Sequence, residues 1–168
     1  MTDFNRYSLT EITNLIRSKK TSSLEVTNHY IKNIKKGKNL NNFITTCFDL
    51  AIKGAKEFDQ KKNFDGLLPG VPLAVKDLFC TKNVKTTAGS KILENFIPTY
   101  ESTVTKNLWS EGAILLGKLN CDEFAMGSSN ETSYFGNTIN PLGKDLVPGG
   151  SSGGSASALA ANLTPATI

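Results

Sequence analysis

Two short runs constrain the fold more than anything else in the chain. Val71, Pro72, Leu73, Ala74 and Val75 lead into Lys76-Asp77, and Ala113, Ile114, Leu115, Leu116 and Gly117 lead into Lys118-Leu119. A strand with one wet face alternates apolar and polar residues; a run that is apolar throughout is dry on both faces. Such strands belong in a sheet covered by helices on both sides. Between them, TVTKNLWSEG (103–112) has helical spacing and a closing glycine, Gly112. Strand, helix, strand in this order predicts an α/β chain.

The residues before the first run read as mainly helical. Ser8 with Glu11 has the spacing of a reciprocal N-terminal cap, and Leu9, Ile12, Leu15 and Ile16 follow at helical intervals. Ser22 with Glu25 repeats the pattern ahead of Val26, Tyr30, Ile31 and Ile34, and Gly37 closes that helix. NNFITTC reads as a short strand. Residues 48–60 read as a third helix, with Leu50, Ala51, Ala55 and Phe58 inward. A helical segment over about 8–62 and a sheet core beginning over about 70–168 are thus expected. From about 127 to 150 glycine, serine, asparagine and proline dominate, with no period, and a long irregular stretch in a compact domain is usually functional or disordered.

Composition narrows the classes. Of 168 residues, 39% are hydrophobic and 20% charged, which suits a globular domain with its own core. No apolar run reaches the roughly 18 residues that span a bilayer, and MTDFNRYSLTEI lacks the layout of a secretory signal or an Arg-rich transit peptide. No membrane and a cytoplasmic location are therefore expected. Cys47, Cys80 and Cys121 are far apart and odd in number, so neither a disulfide framework nor a zinc site is indicated, and no metal is expected. The net charge of +4 is spread along the chain. Its densest cluster, KNIKKGK (32–38), reads as a solvated helix end rather than a nucleic-acid contact.

Two places carry chemistry. Lys76 ends the first dry strand. It either emerges into water or is held in a dry site, where the ammonium form of a lysine is disfavoured and the amine can act as a base. Asp77 opposes the second option if its carboxylate faces the amine. The other place is PGGSSGGS (148–155), which runs straight into the apolar SASALAANL. No lysine follows at the spacing of a phosphate-binding loop. A flexible linker and a site whose backbone must approach a substrate closely both remain open. The single histidine, His29, sits among polar residues of the second helix. A Ser-His-Asp arrangement is thus unsupported, and a serine activated here would need a lysine.

Together GVPLAVKDLF (70–79) and VPGGSSGGSASALAA (147–161) resemble the amidase signature family. KDLFCTKNVKTTAGSKILENF and GKLNCDEFAMGSSNETSYFGNTINP extend the resemblance from about residue 8 to the end. Within the family they are most similar to the glutaminase subunits of tRNA-dependent amidotransferases. The resemblance implies an α/β amidase-signature fold: a mixed central sheet with helices on both faces, incomplete at the C-terminus, residues 1–168 being the N-terminal part of one amidase domain. It implies a Ser–Ser–Lys triad with Lys76 as base and Ser151, in a cis peptide, as bridging serine. Ser152 would be auxiliary, and Gly127 and Ser128 would line the substrate pocket. The implied reaction hydrolyses glutamine to supply ammonia for converting Glu-tRNA(Gln) to Gln-tRNA(Gln). No cofactor is implied in this chain. ATP and magnesium would be used by a separate B subunit, which also takes most of the misacylated tRNA, with a small C subunit completing a heterotrimer. The family's nucleophile lies in a G-x-D-x-G-G-S segment beyond the bridging serine, which these residues do not include. The 168 residues alone are therefore expected to be inactive. A stand-alone amidase of the same family and a non-catalytic binding or assembly module are the competing expectations.

Overall fold

The computed structural model describes residues 2–61, 63–143 and 145–168. Lys62, the last residue of the expected helical segment, lies outside them. Three α-helices fall within the first 61 residues, and local sequence caps the first two. Helix α1 spans Leu9–Arg17. The Ser8 hydroxyl oxygen accepts from the Glu11 N–H at 3.3 Å, and the Glu11 carboxylate accepts from the Ser8 N–H at 2.7 Å. The expected reciprocal cap is complete. Helix α2 spans Ser23–Lys36 and is capped only in one direction. Ser22 accepts from the Glu25 N–H at 3.0 Å, but the Glu25 carboxylate accepts instead from the Thr21 hydroxyl at 2.8 Å. Val26, Tyr30, Ile31 and Ile34 are buried as expected. Helix α3 spans Phe48–Lys61. Ala51 and Ala55 are buried, with Ile52 and Phe58 packed partly against the core. Leu50 is a correction to the inward set, being 51% exposed. At about 100° per residue it stands off the stripe made by Ala51, Ala55 and Phe58.

Among the described residues the sheet has three strands: β1 (Phe43–Thr46), β2 (Pro72–Lys76) and β3 (Ile114–Leu119), in the order β1-β3-β2. β2 runs parallel to β3 and β1 antiparallel to it, so the sheet is mixed. Opposite β3, the other edge of β2 is also bonded: the Lys76 N–H donates to the Ile168 carbonyl at 2.7 Å, and Ala74 bridges Thr167 in parallel. β2 is therefore an inner strand, and all five of its residues are buried.

Both faces are covered. On one, Ala74, Ile114, Leu116 and Leu119 share a core with α1, α2, α3 and Ala158 of helix α5 (Gly153–Ala160). On the other, Leu73, Val75 and Leu115 meet Val84 together with Leu108 and Trp109 of helix α4 (Thr103–Ser110). Each large aliphatic side chain so buried contributes roughly 1.5–3 kcal/mol. This double cover is why the two runs lack polar alternation. Residues 127–143 and 145–150 hold no helix or strand, as their composition predicted. Among the described residues no helix is long and apolar enough to cross a membrane.

Candidate active site at the Lys76–Ser151 corner

Lys76 closes β2 directly beside Leu119, which closes β3. Parallel strands that end together leave a crevice at their carboxyl ends, where α/β proteins place ligands. Lys76 is only 7% exposed there. Its Nζ donates to Ser151 Oγ at 2.7 Å and to Ser152 Oγ at 2.9 Å. The chain turns just before the two serines at Gly149, whose φ of +83° lies in the left-handed region, and the Gly150–Ser151 peptide is cis. Ser152 then starts α5. The Gly-Ser run is held in place rather than free: the Gly154 N–H donates to the Asn120 carbonyl at 3.0 Å, and the Asp122 N–H donates to the Ser151 carbonyl at 3.1 Å.

Asp77 does not face the Lys76 amine. Successive strand residues point to opposite faces, and Asp77 turns to the other side of the sheet. There its carboxylate lies 3.2 Å from Lys118 Nζ and accepts from the Thr87 N–H at 2.8 Å and the Thr87 hydroxyl at 2.5 Å. Both charged side chains are fully buried. Burial pushes the Asp77 carboxyl up and the Lys118 amine down, while their mutual attraction opposes both shifts.

Gly127 and Ser128 come to the same corner, at an exposed edge. A Cβ added at Gly150 would meet the Ser128 carbonyl carbon, the Ser129 nitrogen and the Asp122 carboxylate; one added at Gly127 would meet that same carboxylate. The structure thus joins Lys76, Ser151 and Ser152 by direct hydrogen bonds and brings the Gly127–Ser128 segment against Gly150 by packing.

Sequence reasoning missed the buried polar residues that follow β3. Asn120 donates to the Asn41 carbonyl at 3.1 Å and to the Gly136 carbonyl at 2.9 Å, and accepts from the Ser133 hydroxyl at 2.6 Å. Asp122 is equally buried. Their signal was available: polar residues directly after a dry parallel strand fall at the crevice end. Cys121 lies between them, and burial pushes its thiol up to about 11. It stays protonated near neutrality and offers no competing nucleophile. His29 belongs elsewhere, its Nε2 lying 2.9 Å from Asn5 Oδ1. Among the described residues no cluster of His, Cys, Asp and Glu is arranged to hold a metal ion.

Comparison with known proteins identifies the family. The family model described as Amidase matches residues 25–168. The chain is 68% identical over its whole length to the A subunit of glutamyl-tRNA(Gln) amidotransferase of Pelagibacter ubique and 51% identical to that of Rickettsia bellii. It spans about a third of their length, 35% and 36% respectively. Among solved structures it resembles the A subunit of glutamyl-tRNA(Gln) amidotransferase from Thermotoga maritima, with a TM-score of 0.79 and 33% identity, covering 98% of this chain and 34% of that one. It also resembles a peptide amidase from Stenotrophomonas maltophilia, with a TM-score of 0.86 and 31% identity, covering 96% and 35%. The chain belongs to the amidase signature family.

Proposed function

We propose that this chain is the part of a tRNA-dependent amidotransferase's glutaminase subunit that supplies the lysine base and the bridging serine. The observation that carries this reading is the 2.7 Å contact between Lys76 Nζ and Ser151 Oγ, within reach for direct proton transfer. The 68% identity to the Pelagibacter ubique amidotransferase protein supports the choice of branch.

In this reading residues 1–168 form the first part of a single amidase domain, and the nucleophilic serine comes from a segment beyond them. The free amine of Lys76 takes the Ser151 proton while Ser151 Oγ takes the proton of that serine. The serine oxygen attacks the side-chain carbonyl carbon of glutamine. The C–N bond then breaks, the relay returns the proton to the departing nitrogen, and ammonia leaves. Water hydrolyses the remaining acyl-enzyme to glutamate. Ser152, the second acceptor on Nζ, orients the amine toward Ser151. Gly127 and Ser128 form one wall for the glutamine. Ammonia is consumed in converting Glu-tRNA(Gln) to Gln-tRNA(Gln) in the cytoplasm. The B subunit holds the tRNA and activates its glutamate with ATP and magnesium, the C subunit braces the pair, and this chain needs no cofactor of its own.

The test is a chimera in which these residues replace the matching third of the Pelagibacter ubique relative, produced with its partner subunits. The chimera is expected to hydrolyse glutamine and Ser151→Ala to lose at least about 10³-fold in kcat. The isolated 168-residue chain is expected to show no activity. Full activity in Ser151→Ala, or activity of the isolated chain, contradicts the reading.

One observation favours a second reading, a stand-alone amidase: the fold matches the peptide amidase at least as well as the Thermotoga maritima amidotransferase protein. Copurification separates them. Retention of the B and C subunits supports the first reading, and an active chimera free of both supports the second.

A further inference from the structure

Asp122 is a buried acid that the proton relay does not use. Its carboxylate accepts from the Asn130 N–H at 3.0 Å on one oxygen, and from the Thr132 N–H at 3.3 Å and Thr132 hydroxyl at 2.9 Å on the other. These bonds fold the 127–132 segment around it. The same carboxylate touches Gly127 and Gly150 so closely that neither position has room for a Cβ. Its backbone N–H donates to the Ser151 carbonyl at 3.1 Å. One residue therefore fixes the backbone of the bridging serine from one side and the segment opposite it from the other.

We propose that Asp122 is a positioning residue for amide hydrolysis, setting Ser151 against Lys76 and holding the 127–132 segment as the facing wall for the substrate's carboxamide. This rests on the function proposed above. Asp122 takes no proton and touches no reacting atom. Its carboxylate holds the 127–132 segment and packs against Gly150 while its backbone N–H holds Ser151, and misplacing a relay group by about 1 Å costs on the order of 10²-fold in rate. Because it sets both the relay and the wall, its loss lowers kcat and raises KM together.

The experiment uses the chimera, with kinetics normalised to folded protein. In Asp122→Asn one amide oxygen still accepts, but its NH₂ opposes a backbone N–H. kcat is expected to fall about 10- to 100-fold and the KM for glutamine to rise severalfold. Thr132→Val, which removes only a hydroxyl donor, is expected to move both constants in the same direction by a smaller factor, and it decides the matter if Asp122→Asn fails to fold. A residue needed only for folding would reduce the amount of folded enzyme and leave kcat and KM per folded molecule unchanged. That result in both variants overturns the inference. Loss of activity in Ser151→Ala with parental kinetics in Asp122→Asn and Thr132→Val overturns this inference alone. Full activity in Ser151→Ala overturns the reading beneath it as well.

Discussion

Lys76 and Lys118 sit one register step apart on neighbouring parallel strands, and both are buried, yet their surroundings differ in kind. Lys118 lies within a closed set of acceptors: the Asp77 carboxylate at 3.2 Å, the Thr86 hydroxyl at 2.7 Å and the Phe79 carbonyl at 2.9 Å. Of the three N–H donors of an ammonium, two are bonded to oxygen acceptors, and the charge meets an opposite charge across the ion pair. Lys76 donates to two hydroxyls instead, and no ion pair forms to it among the described residues. Hydroxyls both give and accept protons, and Ser151 is only half-buried. One lysine is paired with a buried charge and belongs to the framework; the other is bonded to groups that can exchange protons with it. Residue type is shared and the strand positions are one step apart on opposite faces, so the side chains each lysine faces decide the chemistry.

The largest expected effect lies on the framework side. Lys118→Met leaves Asp77 buried without its counter-charge and is expected to cost about 3–5 kcal/mol in chemical denaturation of the chain. The double change Asp77→Leu with Lys118→Met is expected to recover most of that loss, because a buried pair replaced by apolar groups of similar size is often neutral. A double variant as unstable as the single one breaks the claim that the pair acts as a unit.

The Lys118→Met variant should also respond to pH. A carboxyl whose folded pKa is raised contributes stability below its ordinary value and loses it as the pH rises through the folded value. Asp77 is raised by burial even with Lys118 present. The penalty of the single change is therefore expected to be smaller at about pH 5 than at about pH 8. A penalty that grows toward acid contradicts the burial argument.

Smaller effects sharpen the contrast. Thr87→Val removes the hydroxyl donated to Asp77 and is expected to cost about 1–3 kcal/mol in stability. In the chimera it should leave the KM for glutamine unchanged. Ser152→Ala on the other face is expected to do the reverse: stability within about 0.5 kcal/mol of the parent, with a fall in kcat.

The sheet was legible because β2 and β3 are dry on both faces, a pattern few other structures produce, and the caps of α1 and α2 were legible because they are local. Leu50 was misplaced although periodicity alone turns it about 100° away from Ala51, off the stripe of Ala51, Ala55 and Phe58. Lys76 and Ser151 are 75 positions apart, and nothing local in either stretch points to the other; only the family resemblance linked them. The direction of Asp77 followed from strand alternation once β2 was shown to run through Lys76. The roles of Lys118 and Asp122 depend on partners drawn from loops at 79–87 and 127–132, whose paths no periodicity encodes.

The most direct test of the central claim is the glutaminase kcat of the chimera carrying Lys76→Ala, measured per folded molecule alongside its unfolding curve. The account predicts a fall of at least about 10³-fold with the unfolding midpoint close to the parent's. Retained turnover, or a loss of activity that merely follows a loss of folded protein, contradicts it.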